Sequence, residues 1–180
     1  MRKFLNTLRK LRSTGSGVIF WYPLVTGTNK NLSPIWLIFG DEPWQKNDAL
    51  NQIKQHGQQQ GFSELIRFYV DEKFDWSLLE QEYNSLSLFS SQRIIELELS
   101  STKIGDVGSK KITQLCDNLS PDIVLIIHGA KLDAANQKRK WFKTVEKNGV
   151  FLPIYEVEGK QLSRWIYQQA QQFNLNLHQD

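Results

Sequence analysis

The sequence predicts an α/β domain with a five-stranded parallel sheet flanked by helices. Two observations lead to this fold class. Five segments rich in apolar, β-branched and aromatic residues alternate with segments of helical periodicity, which is the order of repeated β-α units. One of these segments, residues 123–127, is apolar at every position, as is typical of a central parallel strand covered on both faces.

The first half of the predicted domain contains two strands and two helices. Residues 35–39 form a short apolar run that ends at Gly40 and predicts the first strand. Residues 43–58 predict a helix, because their opening proline suits a first turn that needs no backbone N–H donor. Residues 65–70 are rich in β-branched and aromatic side chains and predict the second strand, and residues 76–83 predict a short helix.

The third strand and the helix after it precede the central strand. Residues 93–99 predict the third strand. Glu96 and Glu98 would share one face of it, which fits a half-exposed strand better than a metal site. Residues 109–119 predict a helix with apolar residues on one face.

The last part of the sequence predicts two helices around a fifth strand. Residues 132–147 are expected to form one long basic helix, with Trp141 and Phe142 in the core or at a domain interface. Residues 150–155 predict the fifth strand, and residues 161–173 predict a helix that opens a second domain.

The long basic helix and the turn before it carry a cluster of cations. A solvated helix face is one explanation, and a surface that faces DNA or a partner protein is the other. The residues are Lys131, Lys138, Arg139, Lys140, Lys143 and Lys147.

The distribution of charge argues against direct, tight DNA binding. Residues 1–12 contribute +5 to a formal net charge of +3, which leaves −2 for the other 168 residues. A domain that grips DNA phosphates by itself has a clear basic excess. The basic start and the apolar residues 17–25 mimic a signal peptide, but Pro23 interrupts the run and no small-residue cleavage site follows. An atypical N-terminal extension is therefore expected rather than export.

Cysteine and histidine usage predicts no metal site. Cys116 is the only cysteine, which excludes an internal disulfide and a cysteine-cluster metal site and fits a cytoplasmic protein. His56, His128 and His178 lack the spacing of metal ligands. His128, at a strand end, is expected to make a structural hydrogen bond. No apolar run reaches the ~18 residues that span a bilayer, so no membrane partner is expected.

The turn after the first strand matches a phosphate-binding loop at only two positions. A working loop reads G-x-x-x-x-G-K-[ST], and Gly40 and Lys46 fit this pattern. Gln45 replaces the second glycine and disfavours the close backbone approach that a phosphate requires. Asn47 lacks the hydroxyl that would ligate Mg²⁺, and Pro43 removes an N–H donor. We therefore expect a degenerate loop that does not bind ATP, and no cofactor.

Residues 85–89 read Ser-Leu-Ser-Leu-Phe and form a compact apolar cluster between a helix and a strand. One interpretation is a helix end that faces the core. The other is a peptide that docks in a hydrophobic pocket of a partner through Leu86, Leu88 and Phe89. Leu88 and Phe89 would be the anchors, because a few large apolar residues dominate such binding.

These stretches, taken in order, resemble the N-terminal part of the delta subunit family of bacterial DNA polymerase III clamp loaders. The resemblance covers about residues 34–180. It includes PIWLIFGDEP at 34–43, LSLFSSQR at 86–93 and LIIHGAKL at 125–132, with shorter matches at 60–62, 75–76, 141–142, 163–165 and 174–177.

The resemblance implies an AAA+-like, P-loop-type fold with a defunct nucleotide site. The subunit would be non-catalytic, would bind and open the sliding clamp during DNA replication, and would be classed with DNA-directed DNA polymerase as a holoenzyme subunit. Leu88 and Phe89 match the pair that enters a pocket on the clamp, with Leu86 beside them, while Ser85 replaces the Gln of the clamp-binding pentapeptide Q-L-[SD]-L-F. Other clamp-loader subunits would handle ATP, and DNA contact would be indirect or weak.

The resemblance also sets the expected domains. Residues 1–33 are an atypical extension, residues 34–157 the clamp-binding domain, and residues 158–180 the first helix of a truncated, helical lid domain. Two other classes stay open: a nucleotide-binding P-loop ATPase, and a nucleic-acid-binding protein that uses its basic N-terminus. Replacing Leu88 and Phe89 separates the clamp-binding class from both, because neither alternative needs that pair.

Overall fold

The computed structural model describes residues 32–85 and 92–156, together with positions 159, 162–163, 166–167 and 170–171. The chain divides into two compact units, residues 22–154 and residues 1–21 with 155–180. In the second unit, the described positions from 162 to 171 are helical, within the range predicted for the last helix. The predicted domain limits at 33 and 157 stay predictions, and most of the predicted extension lies outside the described residues.

A five-stranded parallel sheet forms the centre of the larger unit, as predicted. Its strand order is β2-β3-β4-β1-β5, and all four neighbouring pairs are parallel. The middle strand, β4, contains the segment 123–127 that is apolar at every position, and every residue of the strand is buried. The strands are β1 (Ile35–Phe39), β2 (Phe62–Val70), β3 (Gln92–Leu99), β4 (Ile123–Gly129) and β5 (Val150–Pro153).

Helices cover both faces of this sheet. The helices are α1 (Pro43–Gln59), α2 (Trp76–Asn84), α3 (Gly105–Asp117), α4 (Ala134–Gln137) and α5 (Lys140–Asn148). Residues of α2, α3 and α5 join one hydrophobic cluster with the residues of β1 and β4 at odd-numbered positions. The opposite face receives α1, where Lys54 reaches Glu96 and Gly57 lies against Ile94. Trp141 and Phe142 are fully buried in the hydrophobic cluster, which confirms their prediction as core residues.

The prediction of one long helix over residues 132–147 is wrong, because the segment breaks into α4 and α5. Arg139 lies between them with extended backbone angles (φ −67°, ψ 151°). Asn136 on α4 and Val145 on α5 are both buried. In a continuous helix these two positions would lie about 180° apart, at about 100° per residue. The break between α4 and α5 allows Asn136 and Val145 both to face the interior of the domain.

Candidate functional site

The degenerate phosphate loop begins at the end of β1, where the backbone is tightly packed. The N–H of Gly40 donates to the carbonyl oxygen of Gly129 at 3.3 Å, and the N–H of Ile154 donates to that of Phe39 at 2.8 Å. A Cβ at residue 40 would overlap the backbone of Ile154. The loop therefore needs glycine at this position in order to fit between the ends of β4 and β5.

The loop lysine is already bound to the protein's own backbone. Lys46 Nζ donates to the carbonyl oxygens of Gly40 at 3.3 Å and Gly129 at 3.4 Å. In a working loop this lysine reaches the β- and γ-phosphates. Gln45 is buried, whereas Asn47 is exposed. The structure thus brings Gly40 and Lys46 together, but it places Gln45 and Asn47 in different environments.

Two carboxylates that the sequence comparison with a phosphate loop missed also lie at this turn. Glu42 caps α1 by accepting a hydrogen bond from the N–H of Trp44 at 3.2 Å. The neighbouring Asp41 accepts one from the N–H of Lys131 at 2.9 Å. A helix N-terminus attracts phosphate only while its N–H groups are free and no anion competes. Both carboxylates therefore oppose nucleotide binding.

Glu96 on β3 lies in a buried polar cluster, so the prediction of a half-exposed face is wrong at this residue. It holds at Glu98, which is exposed. The Glu96 carboxylate binds Lys54 Nζ at 2.8 Å, Arg67 Nε at 3.1 Å and His128 Nε2 at 3.1 Å. The structural hydrogen bond expected of His128 is thereby confirmed.

The side chains of this cluster keep the carboxylate of Glu96 ionised and bind both of its oxygens. Burial by itself raises the pKa of Glu96, but hydrogen bonds and charges from His128 and Lys54 outweigh it and lower the pKa to about 2. Lys54, Arg67 and His128 therefore take both carboxylate oxygens, which a magnesium ion would need. Among residues 32–85 and 92–156, no group of three His, Cys, Asp or Glu side chains could hold a metal ion.

The predicted clamp-binding residues Leu86, Leu88 and Phe89 lie outside the described residues. The structure describes both flanks of their segment, where α2 ends at Asn84 with Ser85 as its C-cap, and β3 begins at Gln92. Arg93, which no sequence motif marks as functional, is buried and binds the C-cap residue of α2.

The six cations of the predicted basic helix are all exposed. Lys143 pairs with Glu146 at 2.9 Å. Their exposure fits a solvated face and also a surface that faces DNA or a partner. In the part of the chain that the structure describes, no helix has the length and apolar character needed to cross a membrane.

Comparison with known proteins identifies the family. The model of the family described as DNA polymerase III, delta subunit, matches residues 36–154. The chain belongs to this family. A relative from Escherichia coli (strain K12), DNA polymerase III subunit delta, is 28% identical over 149 residues, which is 83% of this chain and 43% of the relative. The Haemophilus influenzae protein of the same name is 27% identical over 150 residues, or 82% and 43% of the two chains. This delta-family chain thus spans less than half the length of these relatives.

Solved structures show the same fold. The Bacillus subtilis DNA clamp loader delta protein superposes with a TM-score of 0.62 at 16% identity, over 85% of this chain and 46% of that one. AMPPCP-bound DnaA from Aquifex aeolicus superposes with a TM-score of 0.54 at 17% identity, over 92% and 55%. The predicted AAA+-like fold and the predicted resemblance to clamp-loader delta subunits are both confirmed.

Proposed function

We propose that this chain is the clamp-binding part of a clamp-loader delta subunit, which binds and opens the sliding clamp during DNA replication within the DNA polymerase III holoenzyme. The observation that carries the proposal is the family match over residues 36–154. That span contains Leu86, Leu88 and Phe89. We further propose residues 34–157 as the clamp-binding domain and residues 158–180 as the start of a lid domain.

The proposal assigns no catalytic step to this chain. Lys46 is held by two carbonyl groups, and Asp41 and Glu42 place negative charge where a triphosphate would bind. ATP would be handled by other subunits of the loader, which are partners of this chain in the cytoplasm. DNA contact by this chain would be indirect or weak.

Clamp opening would follow from binding alone. A protein shifts an equilibrium between a closed and an open ring only by the difference in its affinity for the two states. A shift from mostly closed to mostly open requires an affinity ratio of about 10⁴. Leu88 and Phe89 would supply the hold on the clamp, at about 1.5–3 kcal/mol for each fully buried side chain. The surrounding surface would have to fit the open ring better than the closed one.

Binding to the sliding clamp of the same cell tests the first half of the proposal. The parent chain should bind, and the Leu88→Ala/Phe89→Ala double variant should bind about 100-fold more weakly or worse, because two anchors are lost. Leu78→Ala on α2 is the matched control, since Leu78 is an exposed leucine outside the segment. Unchanged affinity of the double variant, measured by surface plasmon resonance, would contradict the proposed site.

Release of clamps from circular DNA tests the second half. A closed ring cannot leave a circle, so loss of preloaded clamps from nicked plasmid reports opening. The parent chain should accelerate this loss, and the double variant should not. A parent chain that binds clamps but leaves them on the plasmid would show that it does not open the ring.

A further inference from the structure

A single buried arginine ties together the two ends of the proposed clamp-binding segment. Arg93 is the second residue of β3, and its side chain is 7% exposed. Its Nη2 donates to the carbonyl oxygen of Ser85 at 2.9 Å, and its Nη1 donates to the Ser85 hydroxyl at 2.8 Å. Nη1 also contacts the carbonyl oxygen and the carboxylate of Glu82. The guanidinium thus binds the last turn of α2, where free carbonyl groups favour a cation.

The backbone of Arg93 is held in place by its neighbours in the sheet. The N–H of Arg93 donates to the carbonyl oxygen of Asp122 at 2.9 Å, and Arg93 lies beside Glu64 on β2 and Ile123 on β4. Its Nε also lies 4.0 Å from the Glu64 carboxylate. Because β3 is paired on both sides, its first residues have a well-defined position.

The other end of the segment is fixed at Ser85. Its backbone is extended (φ −66°, ψ 119°), so the chain leaves the helix at this residue. Its hydroxyl lies 3.0 Å from the carbonyl oxygen of Glu82, and its N–H donates to the same oxygen at 3.4 Å. Arg93 holds this turn through both the hydroxyl and the carbonyl group of Ser85. Ser85 and Arg93, which lie on either side of residues 86–91, are therefore joined directly by one side chain.

We propose that Arg93 is a positioning residue for clamp binding, an inference that rests on the proposed function. A segment whose ends are held close to their bound positions loses less conformational freedom when a partner binds it. Arg93 binds Glu82 and Ser85, which precede the segment, and lies on the strand that follows it, so it would act on affinity through the chain it positions. The planar guanidinium suits this role because its five N–H groups form a rigid fork, whereas the ammonium of a lysine offers three donors without a planar arrangement.

A short peptide measures the affinity of the segment without this support. We compare the dissociation constants of the clamp with the full chain and with a synthetic peptide of residues 84–92, which lacks Arg93. The full chain should bind more tightly than the peptide. Arg93→Gln should weaken binding by the full chain about tenfold, towards the affinity of the peptide. Arg93→Lys, which keeps the charge but loses the fork, should fall between the two.

The control separates positioning from stability. Lys54→Gln breaks a buried ion pair on the opposite side of β3 and should lower the melting temperature while leaving clamp affinity within about twofold. Should Arg93→Gln fail to fold, Glu82→Gln removes the negative charge that Arg93 binds, at a side chain that is 29% exposed, and it should weaken binding about threefold.

The outcomes distinguish this inference from the function on which it rests. A folded Arg93→Gln chain with parental affinity would overturn the positioning role and leave the clamp-binding function standing. Equal weakening by Arg93→Gln and Lys54→Gln would show an effect of stability alone, and would overturn it too. If neither the parent chain nor the peptide binds the clamp, the proposed function and the role of Arg93 both fail.

Discussion

Replacing Glu96 with glutamine should destabilise the domain, by an amount that the structure allows us to work out. The substitution keeps the shape of the side chain but removes the charge that Lys54, Arg67 and His128 bind. A pKa lowered from 4.5 to about 2 corresponds to about 3 kcal/mol of free energy of unfolding at neutral pH, at about 1.36 kcal/mol per unit. The loss of one partner from a buried ion pair costs a similar amount, about 3–5 kcal/mol.

The same shift predicts how the effect of the substitution depends on pH. The pKa of Glu96 is lower in the folded chain than in the unfolded chain, so its contribution is complete above about pH 5 and is lost as the pH falls towards 2. The difference in stability between the parent and Glu96→Gln should therefore shrink between about pH 5 and pH 2.

Urea unfolding followed by circular dichroism measures this difference from about pH 7 down to about pH 3. Glu98→Gln is the matched control, because Glu98 lies two residues further along the same strand and is exposed. It should change the free energy of unfolding by less than about 0.5 kcal/mol. A loss below about 1 kcal/mol for Glu96→Gln at neutral pH, or a loss independent of pH, would refute the reasoning.

Three other measurements test the close packing at Gly40, the burial of Cys116 and the occupation of the loop lysine, Lys46. Gly40→Ala should lower the melting temperature far more than Gly105→Ala, because a methyl group at residue 40 would overlap Ile154. A methyl group at residue 105 has open space, and only the φ of 67° opposes it, at a cost of about 1 kcal/mol. Equal decreases in melting temperature would contradict this reasoning. Cys116 should resist a thiol reagent in the folded chain and react once urea unfolds it, because burial raises the pKa of its thiol to about 12; fast reaction without urea would show an accessible thiol. Magnesium ATP should leave the melting temperature unchanged, because backbone carbonyl groups already hold Lys46; a rise of several degrees would reveal a working site.

The strands could be predicted from the sequence because their apolar runs are continuous or nearly so. Residues 35–39 are bounded as predicted, and β4 extends the predicted central strand by two residues. The second strand begins at Phe62 rather than at residue 65. Its start could not be predicted, because Ser63 and Glu64 are exposed polar residues on an edge strand and interrupt the apolar pattern. The third helix begins at Gly105, a residue with positive φ that sequence patterns associate with turns.

The candidate site was predictable only where a motif is local. Gly40 and Lys46 lie six residues apart and could be compared with a known loop. Glu96 finds its partners on α1, β2 and β4, so its role depends on contacts that no sequence spacing reveals. Arg93 binds the hydroxyl of Ser85, the carboxylate of Glu82 and the carbonyl groups of both residues, and no sequence motif predicts these contacts.

The contact of Lys46 with the ends of β1 and β4 has a consequence for how the domain senses its surroundings. Because the ammonium group of Lys46 belongs to the same chain as the carbonyl groups that it binds, its effective concentration at these groups does not depend on the concentration of any free ligand. A phosphate would therefore have to displace the carbonyl groups of Gly40 and Gly129 in order to bind Lys46. On the proposal that this loop binds no nucleotide, a change of nucleotide elsewhere in an assembly would reach the domain only through its contacts with neighbouring subunits.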